Sequence, residues 1–96
     1  MPYIKQEERK KFDEEIDYLI SLIRPESGMI FNDGNVNYIV TRIIDGLYSN
    51  KDYAHYNRAL GVLEAIKLEL YRRKIAVYEE RKLEDAGEVY SKWIFL

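Results

Sequence analysis

The chain has 96 residues, of which 47% are hydrophobic and 33% charged, and its formal net charge is -2 at pH 7. This length suits one small domain, and the composition disfavours intrinsic disorder. The lack of cysteine excludes disulfides and thiolate metal sites, and the single histidine excludes a histidine-rich metal centre within one chain. The charge also weighs against a general nucleic-acid binder, although Arg72–Lys74 is a local basic run.

The sequence predicts a soluble, cytoplasmic protein. Its N-terminal residues are charged and lack the apolar core of a secretory signal peptide. No stretch approaches the roughly 18 consecutive apolar residues that a membrane-spanning helix needs. We find no motif for a P-loop, a dinucleotide-binding turn, a zinc protease or a calcium loop. We therefore expect no cofactor, no metal and no catalytic activity.

The first two predicted elements are amphipathic helices. Apolar residues at spacings of three and four predict a helix over about residues 6–24, which Pro25 ends because proline excludes helical geometry at the preceding residue. A second helix is predicted over about residues 36–48, with Asp33 or Asn35 as its capping side chain. The residues expected to face inward are Phe12, Ile16, Leu19 and Ile23, then Val36, Val40, Ile43 and Leu47.

The third predicted helix is the longest, over about residues 52–86, or about 50 Å at 1.5 Å per residue. The two shorter helices cannot cover its whole length, and uncovered apolar surface usually marks an association site. We also expect the apolar tail, residues 88–96, to dock on its own domain or on another subunit. The fold class is therefore an all-α, three-helix single domain over residues 1–96, with a long C-terminal helix, assembled as a helical homo-oligomer. The apolar residues on one side of this helix are Tyr56, Leu60, Leu63, Ile66, Leu70 and Val77.

A row of charged and tyrosine residues runs inside that apolar side. At a constant 100° per residue, positions seven apart share a face. Stranding an unpaired charge in an apolar core is costly, so such a row indicates ion pairs, a subunit interface or a site for an anionic ligand. The heptad-spaced residues are Lys67, Lys74 and Arg81, flanked by Glu64, Tyr71 and Tyr78.

Two groups of residues are candidates for ligand binding. In the second helix, Arg42 could bind a phosphate and Tyr38 could stack on a base, with Asn37 and Thr41 beside them; a solvated helix face with capping residues is the alternative. In the long helix, Lys and Arg would supply charge and Tyr rings would stack, whereas surface pairing or an ordinary subunit interface is the alternative. Both interpretations hold together if the ligand binds between subunits. The long-helix candidates are Glu64, Lys67, Tyr71, Arg72, Arg73, Lys74 and Tyr78.

Short motifs are spread over about residues 1–90. They are Met1–Gln6, Asn37-Tyr38 with Thr41-Arg42, Gly61–Glu64 with Lys67–Glu69, Tyr71–Arg73, and Tyr78-Glu79. In these motifs the chain resembles a family of small, largely uncharacterised proteins of phages, prophages and bacteria. It departs from the family pattern at Ala76-Val77, where a proline commonly precedes the tyrosine, and in the apolar tail after Tyr90. The resemblance implies a phage or prophage setting, in which some small oligomeric proteins sequester nucleotide signals of host defence; that step is an analogy.

The leading hypothesis is non-catalytic binding and sequestration of an anionic small molecule, a nucleotide or cyclic nucleotide, by a phage-encoded homo-oligomer in the host-cell cytoplasm. The alternative is an oligomeric protein-interaction module, an adaptor or inhibitor of a host protein, without a small-molecule ligand. The first depends on the basic and tyrosine residues. The second depends on the exposed apolar stripe and the apolar tail.

Overall fold

The computed structural model describes residues 4–24, 32–49 and 52–91, and these form three helices. The first is α1, Gln6–Ile23, and the second is α2, Asp33–Tyr48. The third, called here the C-terminal helix, has 34 residues: α3, Tyr53–Leu70, then a π-helical turn, Tyr71–Ile75, then α4, Ala76–Ala86. The predicted all-α class and the long last helix are confirmed. Pro25 and residues 92–96 of the tail lie outside the described residues.

The chain divides into two compact units, Met1–Val62 and Leu63–Leu96. The first, the N-terminal unit, contains α1, α2 and the first turns of α3. The second, the C-terminal unit, contains the rest of the C-terminal helix and the residues after it. The single domain over residues 1–96 stays a prediction. No described helix has the length and apolarity to cross a membrane.

A side-chain hydrogen bond links the end of α1 to the start of α2. The Asn32 amide nitrogen donates to the Ile23 carbonyl over 2.8 Å. The Asn32 carbonyl also accepts from the Val36 amide at 3.0 Å, so helical hydrogen bonding already begins there. The prediction of Asp33 or Asn35 as the cap is therefore wrong: α2 begins at Asp33, and Asn32 is the N-cap. Asn35 instead donates from its side chain to Asn32 Oδ1.

Asp52 and His55 stabilise the first turn of the C-terminal helix. The Asp52 carboxylate accepts from the His55 backbone amide at 2.9 Å and lies 2.8 Å from His55 Nδ1. A carboxylate at this position satisfies a backbone N–H that has no partner within the helix. The hydrogen bond from the His55 amide, with that from its side chain, holds the pKa of Asp52 below its usual value.

The described residues do not form a packed apolar core within one chain. Ala59, which is 6% exposed, is the one buried residue among them. In α1, Leu19 and Ile23 are partly covered, as predicted. The prediction that the other stripes face inward is wrong for the described residues, because their side chains are exposed. The exposed members of the predicted stripes are Phe12, Ile16, Val36, Val40, Ile43, Leu47, Tyr56, Leu60, Leu63, Ile66, Leu70 and Val77.

Gly87 ends the C-terminal helix. Its amide donates to the Leu83 carbonyl at 2.8 Å, and its φ is 91°, with ψ at 155°. A residue with a Cβ is strained in this region, whereas glycine adopts it readily. The helix therefore stops where the backbone takes a conformation that only glycine tolerates well.

We expect Gly87→Ala to lower the free energy of unfolding by about 1 kcal/mol or more, because alanine is strained at this φ. Gly61→Ala is the matched control: an added Cβ meets no atom within 4 Å there, and φ is not positive. That change should raise stability by about 0.5–1 kcal/mol, since glycine is a poor helix former. Urea unfolding followed by circular dichroism, at one protein concentration, measures both. If the two substitutions changed the free energy of unfolding equally, the special backbone conformation of Gly87 would be contradicted.

Candidate functional site

Four polar residues on α2, here called the α2 cluster, form two side-chain pairs. The Thr41 hydroxyl donates to Asn37 Oδ1 at 3.3 Å. Arg42 Nη1 donates to the Tyr38 hydroxyl at 2.8 Å, and the guanidinium carbon lies 5.7 Å from the centre of the Tyr38 ring. Both pairs join residues four apart, which share a face of the helix.

The Arg42–Tyr38 contact orders both side chains on an exposed surface. One guanidinium nitrogen is engaged by the Tyr38 hydroxyl, while the other donors of the planar group stay open to an anion. The cation lies against the tyrosine ring, a favourable contact at such a distance. The α2 cluster can therefore present a positive charge beside an aromatic ring without first ordering either side chain.

The π-turn is the main local feature of the C-terminal unit. The Ala76 amide donates to the Tyr71 carbonyl, five residues earlier, instead of four as in an α-helix. This spacing places one extra residue in a single turn. Residues beyond the turn are consequently rotated by about 100° relative to an uninterrupted α-helix. Single π-turns inside α-helices are rare and occur frequently at functional sites.

The extra residue breaks the predicted heptad row. The prediction of a straight row through Lys67, Lys74 and Arg81 is wrong, because it assumes 100° per residue throughout. Tyr71 and Tyr78 likewise do not lie above one another across the turn. The error has a physical origin: periodicity read from sequence carries no information on a one-residue change of helical register.

The π-turn also keeps the apolar face continuous. Ile75, five residues after Leu70, takes the position that Lys74 would occupy in an uninterrupted α-helix. Lys74, one residue earlier, is thereby displaced to the edge of the face. We call this face the C-terminal stripe. Its members, exposed by 36% to 58%, are Leu63, Ile66, Leu70, Ile75 and Tyr78.

Tyr71 interacts with Glu79, eight residues further along. One π-turn followed by one α-turn advances the chain by about eight residues, so the two side chains share a face. Hydrogen bonding to the Glu79 carboxylate, then its negative charge and a small desolvation, raises the pKa of Tyr71 above its usual 10.0. Glu79 is not among the sequence-predicted site residues. No heptad or i+4 signal could have identified it.

Two of the predicted cations already have partners on their own helix. Lys67 Nζ lies 3.4 Å from Glu64 Oε1. Arg72 pairs with Glu69, with Nε donating to Oε2 at 3.3 Å and Nη2 to Oε1. The simple pairing expected for Glu64 and Lys67 is confirmed. Glu69 was missed, although its i,i+3 spacing to Arg72 is a signal for such a pair.

Arg73 and Lys74 differ from those two cations. Both are exposed within the π-turn, and neither has a hydrogen bond or an ion pair among the described residues. Further along, Lys82 Nζ lies 5.5 Å from the centre of the Tyr78 ring, a cation–π contact that sequence reasoning did not single out. Over the described residues, Arg73 and Lys74 are therefore two exposed cations of the C-terminal unit without an ion-pair partner.

The eleven predicted ligand-binding residues fall into two clusters. Asn37, Tyr38, Thr41 and Arg42 belong to the N-terminal unit. The other seven belong to the C-terminal unit and are called here the basic-tyrosine cluster: Glu64, Lys67, Tyr71, Arg72, Arg73, Lys74 and Tyr78. The residue types in each cluster suit an anion with an aromatic portion, since guanidinium and ammonium groups bind phosphate and tyrosine rings stack on bases. Over the described residues, no group of three His, Asp or Glu side chains could hold a metal ion.

The sequence matches the family described as Domain of unknown function (DUF6899) over residues 1–89. No curated protein and no solved structure matches the chain significantly. The match covers both clusters and the π-turn.

We expect Glu79→Gln to lower the pKa of Tyr71 toward 10.0, because the substitution removes the negative charge that raises it. The contact's contribution to stability is present below the unfolded pKa of tyrosine and is lost as pH rises through the raised folded value. NMR of ring-labelled tyrosine, assigned with Tyr71→Phe, follows the titration. Glu80→Gln is the control, since the π-turn places Glu79, not its neighbour, on the Tyr71 face. A Tyr71 pKa unmoved by Glu79→Gln would refute the contact.

Proposed function

We propose that this chain, which belongs to the DUF6899 family, binds and sequesters an anionic small molecule without converting it. The proposed ligand is a nucleotide or cyclic nucleotide signal, and the binding form is a homo-oligomer. The observation that carries the proposal is Arg73, which is exposed in the π-turn and has no ion-pair partner among the described residues.

The two clusters have complementary roles in this proposal. Arg73 and Lys74 supply charge for a phosphate, because Lys67 and Arg72 are already engaged by carboxylates of their own helix. In the α2 cluster, Arg42 supplies charge beside the Tyr38 ring. Tyrosine rings would stack on a base, a contact worth about 1–3 kcal/mol per base by alanine substitution. Asn37, Thr41 and Glu64 would bind the polar edges of the ligand.

Self-association is part of the proposal because a single copy leaves so much apolar surface uncovered. A chain of this size gains stability chiefly by burying apolar side chains, at about 25 cal/mol per Å². Over the described residues one side chain is buried, and contacts between copies would supply burial that these residues lack. Assembly of identical subunits supplies such contacts.

The proposed setting follows from the resemblance to phage and prophage proteins. A phage-encoded oligomer that holds a host's nucleotide signal would act in the host-cell cytoplasm against defence. It would need high affinity for its ligand and no catalytic group. Metal and cofactor are not required for such binding.

Native mass spectrometry of freshly purified protein tests ligand binding. Spectra are recorded before and after mild denaturation, and with a panel of nucleotides and cyclic dinucleotides. We expect an oligomer that retains or gains the mass of one member of the panel. An oligomer that stays ligand-free across the whole panel would contradict the proposal.

We expect Arg73→Ala and Arg42→Ala each to weaken nucleotide binding by about tenfold or more, since a charge-assisted hydrogen bond contributes about 1.5–3 kcal/mol. Arg58→Ala is the matched control, because Arg58 is an exposed arginine of α3 outside both clusters. Isothermal titration calorimetry with the nucleotide identified by mass spectrometry gives the three dissociation constants. If both cluster variants bind as the wild type does, the residue assignment fails.

The exposed apolar surface favours one alternative, an oligomeric adaptor or inhibitor that binds a host protein. Apolar patches on soluble proteins commonly mark protein interaction sites. This alternative predicts that deleting Trp93–Leu96 abolishes binding of a protein partner and leaves nucleotide binding unaffected. Pull-down with the full chain and the truncated chain, paired with the calorimetry above, separates the two functions.

A further inference from the structure

The C-terminal unit contains two apolar features within one short stretch of chain. One is the part of the C-terminal stripe nearest the π-turn, where Leu70, Ile75 and Tyr78 are exposed by 41% to 58%. The other is the run Trp93–Leu96 of the apolar tail, in which all four residues are apolar. Contact between the two removes both from water, and such burial is the main favourable term in folding.

The chain changes direction at the end of the C-terminal helix. Gly87 adopts a φ of 91°, at which the helix stops. Tyr90, three residues later, lies at a bend, and its amide donates to Glu88 Oε1 at 2.6 Å. The residues after Gly87 therefore do not continue along the helix axis.

The position of Tyr90 gives the direction that the chain takes after the bend. The hydrogen bond to Glu79 and its charge raise the pKa of Tyr71 most, and the charge of ionised Tyr90 adds the smallest contribution. Exposed charges are screened beyond about 10 Å, whereas Tyr71 lies about 22 Å before Ala86 along the helix. Tyr90 therefore lies back toward the π-turn. Ile75, four residues after Tyr71 and close to one π-helical turn away, is on that side of the helix.

The length of the tail determines how much of the stripe it can cover. An extended chain spans about 3.3 Å per residue, so Trp93, six residues after Gly87, can lie at most about 20 Å back along the helix. Ile75 lies about 16 Å before Ala86 at 1.5 Å per residue, within this range. Ile66 lies about 30 Å before Ala86, outside the range of Trp93.

The short connection favours the same chain over a second copy as the binding surface. Two groups joined by a short flexible linker meet at an effective concentration in the millimolar range. A second copy competes only at the concentration of the protein itself, which is micromolar in ordinary solution experiments. The tail of the same chain is therefore the favoured occupant of the stripe.

We propose that the run Trp93–Leu96 folds back along the helix of its own chain and covers the part of the C-terminal stripe nearest the π-turn, with Trp93 packed on Ile75. Leu63 and Ile66 lie beyond the docked run and stay open to contacts between copies. The inference does not depend on nucleotide binding. It places within the chain the same run that the host-protein alternative requires to be free.

Trp93 is the only tryptophan of the chain, so tryptophan fluorescence of the full-length protein reports on docking. Without nucleotide, we expect emission at shorter wavelength and weaker quenching by acrylamide than for the same protein unfolded in urea, because docking removes the indole from water. Neither quantity should change on dilution, since docking within one chain is independent of concentration. Emission like that of the unfolded chain overturns the proposal. A shift to longer wavelength on dilution overturns it in favour of a second copy.

Ile75→Glu and Ile66→Glu are a matched pair of variants. Both place a carboxylate on the C-terminal stripe, but only the first lies within the range of Trp93. We expect Ile75→Glu to shift the emission to longer wavelength and to raise the acrylamide quenching constant severalfold, whereas Ile66→Glu should leave both as in the wild type. Circular dichroism reports whether each variant keeps its helices. Equal shifts in the two variants, or no shift in Ile75→Glu, overturn the proposal.

Disulfide trapping tests the same contact without introducing a charge. The chain has no cysteine, so an introduced pair reacts alone. Under oxidation, Ile75→Cys combined with Trp93→Cys in one chain should form a disulfide within the chain, whereas Ile66→Cys combined with Trp93→Cys should not. Cross-linked dimers from the first pair would show docking on another copy, and no disulfide at all would show no docking; either result overturns the proposal. Nucleotide binding is measured separately by native mass spectrometry, so each proposal can fail alone.

Discussion

The C-terminal unit depends on the five-residue hydrogen bond from the Ala76 amide to the Tyr71 carbonyl. An extra residue in one turn is unfavourable unless it places side chains better than the regular helix does. Here it removes Lys74 from the middle of an apolar face and substitutes Ile75. It also brings Tyr71 over Glu79. The continuous apolar face and the positions of Lys74 and Glu79 thus follow from one change of helical register.

The α2 cluster and the basic-tyrosine cluster differ in how many of their polar and charged side chains already have a hydrogen-bond or ion-pair partner. In the α2 cluster each side chain has a partner four residues away, and Arg42 is ordered by its hydrogen bond to Tyr38. In the C-terminal unit, carboxylates engage Lys67 and Arg72 but not Arg73. Surface ion pairs of this kind contribute little to stability, so they serve mainly to fix which cations remain open.

Sequence reasoning predicted the features that depend on local spacing. The three helices follow from residue propensity and from the spacing of apolar residues one turn apart. The cap at Asn32 was missed because several short polar side chains precede α2, and their main-chain bonding decides among them. The π-turn was missed because a periodicity argument assumes a constant rotation per residue. The prediction that the apolar stripes face inward was wrong because an amphipathic pattern indicates that a helix face is apolar. It does not indicate what packs against that face.

Chain length between Leu70 and Ala76 therefore sets the orientation of everything that follows. Deleting a single residue from this segment would restore the regular four-residue hydrogen bonding and rotate α4 by about 100°. Every side chain of α4 would keep its identity and its height along the axis, yet point in a new direction. A length change of one residue would act like a simultaneous substitution of the whole surface of α4, with no alteration in composition.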